Sequence, residues 1–223
     1  MLTVHLVDVS ASALETASRT LDHLDNVTIV THEAEYETGL AQATSQGAEN
    51  ESFGRTLVLF LGSNIGNFDP PGAAALLDSV RATVDGGDAL LIGADLVKAE
   101  ATLLKAYDDP LGVTAAFNRN LLVRANRELA ADFDLDGFAH QAIWNEESSR
   151  IEMHLLSLKR QQVRVPEAHL DIRFEAGETI WTESSYKYRP AQVRDMLERA
   201  GFRVMDQWLD ERDAFALTLA EAV

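Results

Sequence analysis

Cysteine is absent from the 223 residues, which excludes a disulfide framework and thiolate chemistry. No apolar run approaches the roughly 18 residues that a membrane-crossing helix needs, and the first residues lack the basic-then-apolar layout of a secretory signal. Basic residues are scarce: 19 Lys and Arg stand against 36 Asp and Glu, for a net charge of −17. Such a field repels a phosphate backbone over most of the surface, so nucleic acid is not an expected partner. The acidic excess is spread along the chain and is not gathered in a tail; adaptation to high salt is one source for it. A cytoplasmic monomer with no membrane partner, acting on a small polar molecule, is the expectation. A cationic cofactor is compatible with the same field.

What is present begins with a chain length suited to one α/β domain carrying an insertion. Residues 57–61 are five apolar residues bounded by Arg55 and Gly62, which predicts a strand buried on both faces of a parallel sheet. A loop of small residues follows. Gly62, Ser63 and Gly66 put little side chain in the way, so backbone can come close to a ligand there, and Asn67 offers a donor and an acceptor. In open α/β sheets the ligand crevice lies beyond the carboxyl ends of the strands, where this loop belongs. An ordinary strand-to-helix turn fits the same residues.

Upstream, residues 2–7 predict a strand closed by Asp8, with Ser10 capping a helix over 11–24. A short strand at 27–30 completes strand–helix–strand, half of a nucleotide-binding layout. An acid closing a strand at that point commonly holds ribose hydroxyls; a charge favourable to the helix N-terminus is the alternative reading of Asp8. Residues 41–52, rich in Gln, Ser, Gly and Ala, predict a helix end and a flexible loop. Pro70 and Pro71 open a helix over 72–84, and 89–92 predict a further buried strand.

Beyond Lys98 the rhythm changes. Helical spacing covers 99–107 and 114–129, then alternation marks strands at 150–158, 162–165, 171–174 and 179–186. This predicts an inserted α+β unit. A helix at 192–200, Gly201 as its cap, and strands at 203–209 and 214–220 close the chain. The six histidines lack paired ligand spacing, so no metal is expected. Asp132, Asp134 and Asp136 alternate without the glycine and glutamate of a calcium loop and predict a solvated turn. Trp144, Trp181 and Trp208 are expected in the core or a cavity wall.

Several blocks follow one another in order: FLGSNIGN at 60–67, DLVK at 95–98, AYDD at 106–109, GVTAAFN at 112–118, NREL at 126–129, RIEM at 150–153, GETI at 177–180 and TESSYKY at 182–188. Together they resemble the histidine-specific, S-adenosylmethionine-dependent Nα-methyltransferases of ergothioneine biosynthesis. The resemblance covers nearly the whole chain. It implies an α/β fold, the class I (Rossmann-like) methyltransferase sheet, with an inserted α+β substrate-binding unit. It also implies a cofactor-binding domain at 1–96 and 188–223 and a substrate-binding domain at 97–187.

The same resemblance implies the site. The substrate is L-histidine, methylated three times on the α-amine to the betaine hercynine, with S-adenosyl-L-methionine as cofactor and no metal. Gly62 with its loop, Asn67 and Tyr107 match the residues that hold the amino acid's backbone end, with Asn67 and Tyr107 on the carboxylate. Glu183 and Ser185 match those that read the imidazole. Asp8 matches the acid on the cofactor ribose, and Glu35 with Tyr36 falls where an Asp-Phe pair meets the adenine.

The chemistry of these residue types agrees. Methyl transfer from a sulfonium is an in-line displacement, so the protein must chiefly align an unprotonated amine. Glu183 can accept from an imidazole N–H, while Ser185 can donate or accept. On their own, Glu183 and Ser185 fit a solvated strand end equally, and Tyr107 a half-buried helix position.

One departure accompanies the resemblance. Family members carry a further N-terminal segment, which supplies the first strand, the glycine-rich loop around the cofactor's methionine portion and part of the substrate unit. The sheet is therefore expected to lack its first strand, leaving a gap between the strands at 2–7 and 57–61. Activity that depends on such a segment, a non-catalytic amino-acid-binding remnant, and a methyltransferase for another amino acid all fit these residues. A nucleotide-dependent oxidoreductase resting on Asp8 lacks the glycine fingerprint.

Overall fold

The computed structural model describes residues 2–49, 54–212 and 214–223. The chain opens with β1 (Leu2–Asp8), α1 (Ala11–Leu21) and β2 (Val27–Glu33). Ser10 caps α1, its Oγ accepting from the Ala13 N–H at 3.3 Å, as its position before the helical spacing predicts. β1 and β2 pair in parallel from Leu2↔Val27 to Asp8↔Glu33. The helix α2 (Tyr36–Glu49) follows. It runs well past residue 41, where its end and a flexible loop were expected; the rest of that expected loop, residues 50–52, lies outside the described residues.

A second sheet forms the centre of the molecule. β3 (Leu57–Phe60), α3 (Pro70–Thr83) and β4 (Ala89–Asp95) make a strand–helix–strand unit with parallel pairing. The Asp69 carboxylate accepts from the Gly72 N–H at 2.8 Å, and Pro70 fits the first turn because its missing N–H has no partner to lose there. Near the C-terminus, α6 (Pro190–Arg199) leads into the antiparallel pair β10 (Phe202–Leu209) and β11 (Phe215–Ala222). β11 then pairs antiparallel with β4, giving the order β10-β11-β4-β3.

Leu76, Leu77 and Val80 of α3 pack on Leu90 and Ile92 of β4 with Leu197 and Phe202, all at most 3% exposed. Each such side chain contributes about 1.5–3 kcal/mol by leaving water. This is the main core, and it anchors the end of β4 and the loop after β3.

β3 departs from expectation. Leu57 and Leu59 are 52% and 57% exposed, where burial on both faces was expected. An apolar run is buried only if neighbours cover it, and β3 is an edge strand paired with β4 alone. β1 likewise pairs with β2 alone. Among the described residues no strand pairs between β1 and β3. α2 bridges the two sheets: Leu40 packs against the main core, and Gly39 lies so close to Val7 that a Cβ there would sit 2.2 Å from Cγ1.

Residues 100–186 hold α4 (Glu100–Tyr107), α5 (Val113–Glu128), β5 (Phe138–Asn145), β6 (Arg150–Ser157), the hairpin β7 (Gln161–Val165) and β8 (Leu170–Phe174), and β9 (Thr179–Tyr186). β5, which the sequence reading did not find, pairs with β6, and β6 with β9, all antiparallel. A core around Phe138, Leu155 and Phe174 fills the space beneath. Trp144 packs against a separate buried cluster of Leu103, Ile151 and Met153, as expected. Trp181 and Trp208 are 49% and 45% exposed, against the expectation of core or cavity-wall positions, and the Arg150 guanidinium lies 4.4 Å over the Trp181 ring.

Candidate active site

The loop after β3 is a single 3-10 turn, Asn64–Asn67, entered through two consecutive residues with positive φ, Gly62 at 74° and Ser63 at 61°. Gly62 adopts that conformation without the Cβ clash that other residues meet. Ser63 is held there by its hydroxyl, which accepts from the Asp95 N–H at 2.8 Å and so ties the loop to the end of β4. Gly66 has a different reason to be small: a Cβ there would lie 2.7 Å from the Tyr186 carbonyl oxygen. The loop thus presses backbone to backbone against the end of β9. Tyr188 adds a second tie, its hydroxyl donating to the Ile65 carbonyl at 3.1 Å. Burial, with Tyr186 beside it, pushes the Tyr188 phenol up to about 12, which keeps that donor in place.

Between this loop and β9 lies a cavity of about 240 Å³. The five residues expected at the amino-acid end, Gly62, Asn67, Tyr107, Glu183 and Ser185, all line it, with Ser63, Asn64, Asp95, Lys187 and Phe215. They come from the β3 loop, the end of β4, the last residue of α4, β9 with the residue that follows it, and β11. Tyr107 is aimed by its surroundings. His140 makes a ring-nitrogen hydrogen bond to its carbonyl at 2.7 Å. Just beyond it, the Asp109 carboxylate accepts from the Thr114 and Val113 N–H groups, and those bonds hold it at about 2.

The cavity floor is a polar network. Tyr107 donates to Ser185 Oγ at 2.8 Å. Lys187 Nζ donates to Tyr107 at 2.6 Å and to Ser185 at 2.9 Å, and its ammonium pairs with Asp95 Oδ2 at 2.9 Å. Lys98 holds the other Asp95 oxygen at 2.5 Å. Lys187 is 3% exposed; a cation so buried is kept only by a partner of opposite charge and full hydrogen bonding. Glu183 stands apart from the network, and its carboxylate accepts no hydrogen bond from another described residue. Burial holds its pKa above the usual carboxylate range, against a smaller pull from Lys187 in the other direction. Its oxygens and the Asn67 amide, which also makes no hydrogen bond to another described residue, are the open polar groups of the cavity.

Lys187 and Asp95 had no assigned role from sequence, although each falls in a quoted block, and the Ser63 hydroxyl's tie to β4 was not foreseen. The signal was available for Lys187: Glu183, Ser185 and Lys187 are two apart, so on an extended chain they share one face.

Of the residues expected at the cofactor end, Gly62 lines this cavity, while Asp8, Glu35 and Tyr36 do not. Asp8 sits at the carboxyl end of β1, its Oδ1 accepting from the Ser10 N–H at 2.7 Å. Its backbone partner is Glu33, which places Glu35 close by. The Tyr36 ring meets Phe60 edge-on at 5.4 Å and tilts against Phe68 at 6.4 Å, so it reaches the segments flanking the 62–67 loop. An acid with an oxygen to spare beside an aromatic face is a donor set that suits the ribose and base of an adenosine. Among the described residues no group of three or more His, Asp or Glu is placed to hold a metal ion, and no helix is long and apolar enough to cross a membrane.

Residues 5–222 match the model of a family described as histidine-specific, SAM-dependent methyltransferases. The chain is 51% identical over 167 residues to a histidine N-alpha-methyltransferase of Mycolicibacterium smegmatis, covering 75% of this chain and 52% of that protein. The corresponding protein of Mycobacterium tuberculosis is 50% identical over the same shares. An L-tryptophan methyltransferase of Psilocybe serbica is 31% identical over 166 residues, 72% of this chain and 45% of that protein. The chain spans about half the length of the curated relatives it matches. With the order β10-β11-β4-β3 and the parallel β1–β2 pair, the fold is that of the class I methyltransferases, and the chain belongs to the histidine-specific, SAM-dependent methyltransferase family.

Proposed function

We propose that this chain carries the amino-acid pocket of an enzyme that methylates the α-amine of L-histidine with S-adenosyl-L-methionine, through to the trimethylated betaine hercynine. The observation that carries the reading is the convergence of Gly62, Asn67, Tyr107, Glu183 and Ser185 on one cavity from three separate elements, the loop after β3, α4 and β9. Asn67 and Tyr107 hold the carboxylate with the backbone of the Gly62 loop. Glu183 and Ser185 read the imidazole, Glu183 taking a ring N–H. With both ends fixed, the nitrogen between them has one direction to face, and alignment is most of what this reaction asks of a protein. Leaving Glu183 and Ser185 unpaired rejects a substrate without the ring.

Asp8 holds the ribose, Glu35 and Tyr36 the adenine, and Gly62 lies where the cofactor and the amino acid meet. The cofactor, when bound, supplies the methyl group. Residues 1–96 and 188–223 form the cofactor-binding domain and 97–187 the substrate-binding domain. The names of the two mycobacterial relatives support histidine as substrate. The reading includes a further segment pairing between β1 and β3 and closing the methionine end of the cofactor site. It takes the protein as a cytoplasmic monomer with no nucleic-acid or membrane partner.

A second reading, the same chemistry on another aromatic amino acid, draws on the resemblance to a protein named as a tryptophan methyltransferase. Isothermal titration with histidine, tryptophan and S-adenosylhomocysteine separates the two, and mass spectrometry of the product counts the methyl groups. Tryptophan bound more tightly than histidine refutes the first reading. Amino-acid binding with no turnover, even with a family N-terminal segment added, points to a non-catalytic remnant.

A further inference from the structure

Lys187 is buried under the cavity and has three oxygen neighbours within 2.9 Å: Tyr107 Oη, Ser185 Oγ and Asp95 Oδ2. An ammonium has three N–H groups and no acceptor. All three are therefore used, and none is left for a ligand. The cation acts on the cavity only through the two hydroxyls above it.

A hydroxyl has one proton and two lone pairs. Ser185 Oγ receives Lys187 and Tyr107, so both lone pairs are filled from below and beside. Its own O–H is what remains, and Ser185 lines the cavity. Tyr107 has spent its proton on Ser185. The next open group is Glu183, an acceptor when ionised. The two groups at this end thus present one donor and one acceptor.

We propose that Lys187 is a positioning residue that sets the hydrogen-bond polarity of the pocket, fixing Ser185 as a donor so that the site takes a ring with one N–H and one bare nitrogen, the neutral imidazole. A ring carrying two N–H groups, the imidazolium, meets a proton at Ser185 where it needs a lone pair. An indole has an N–H for Glu183 and nothing for Ser185 to donate to. This rests on histidine being the ligand and withdraws the carboxylate contact given above to Tyr107, whose proton serves Ser185, leaving the carboxylate to the Asn67 amide and the backbone of the Gly62 loop.

The charged groups facing this end are Glu183 on β9, Lys187 just beyond it, and Asp95 and Lys98 at the end of β4. Because Glu183 also titrates, the test reads the ring itself. Histidine labelled with ¹⁵N in the ring is bound to the protein at pH about 6.5, where the free ring is half protonated, and its nitrogen resonances are recorded. The expected result is two widely separated signals, one protonated and one bare. In Lys187→Met, Ser185 regains a lone pair, and the bound ring is expected to shift toward two protonated nitrogens. Because that change leaves Asp95 with Lys98 as its one cationic partner, Ser185→Ala, which keeps the ion pair, is recorded beside it and is expected to lose the bare-nitrogen preference likewise. A doubly protonated ring in the wild type, or both variants holding the neutral ring unchanged, overturns the proposal. No bound signal at all in the wild type overturns the functional reading instead.

Discussion

Gly66 and Tyr186 meet so closely that the loop after β3 and the end of β9 are packed as backbone on backbone: a Cβ on Gly66 would fall 2.7 Å from the Tyr186 carbonyl oxygen. The two walls of the cavity are therefore set against each other by a contact that admits no side chain. Gly66→Ala must push them apart. Overpacking of this kind costs about 1–3 kcal/mol, read as a lower urea midpoint with unchanged slope. The amino-acid affinity should fall as well, since Asn67 and Ser185 sit on opposite sides of the displaced contact.

Glu183→Gln tests the open acceptor. A hydrogen bond to a charged group is worth about 1.5–3 kcal/mol, so histidine should bind roughly ten- to a hundredfold more weakly by calorimetry. Stability should move the other way. The folded-state pKa of Glu183 is raised by burial above the ordinary value of 4.5. Below both values the group is protonated in both states and contributes nothing. Once pH rises past 4.5 the unfolded chain ionises first, so the carboxylate weakens the fold at neutral pH. The glutamine variant should unfold at higher urea than the wild type at pH 7, and the gap should close below pH about 4.5.

Tyr107→Phe keeps the ring, which lies 4.7 Å from Lys187 Nζ, and removes only the hydroxyl. Lys187 loses an acceptor and Ser185 a donor in a buried network. The cost to stability should be about 1–3 kcal/mol. Histidine affinity should drop with the fold intact by circular dichroism.

Asp8→Asn keeps an oxygen for the Ser10 N–H and removes the charge offered to the ribose. S-adenosylhomocysteine should bind about tenfold more weakly, the loss of roughly 1.4 kcal/mol that a charged hydrogen bond supplies. Histidine affinity measured without cofactor should be unchanged. Equal losses for both ligands would place Asp8 in the structure and not at the ribose.

Much of the frame was legible in the sequence because it rests on local signals. Ser10 and the prolines at 70 and 71 mark helix starts by their own chemistry, and the 2-fold alternation of 150–158 and 179–186 is a property of single strands. Features that depend on distant neighbours were misread. Residues 57–61 look buried by composition, but Leu57 and Leu59 stay exposed because nothing among the described residues pairs along the outer edge of β3. Residues 138–145 mix His140, Gln141 and Asn145 into a strand that is held by β6 rather than by its own pattern. At the site, Glu183 and Ser185 carried meaning only through the ordered blocks around them. The Lys187–Asp95 pair could not be read at all, because the parallel bridge of Leu96 to Tyr188 that joins those two segments is a tertiary fact.

The edges of β1 and β3 that no described residue pairs carry a practical consequence. Bare strand edges with leucines at 57 and 59 invite a second molecule to zip alongside. What opposes that is the mutual repulsion of chains that each bear −17 charges. Salt shortens the reach of this repulsion, to about 10 Å at 0.1 M and 3 Å at 1 M. Sodium chloride should therefore bring on sedimenting aggregates of this chain, and a lysine at position 59 should postpone them.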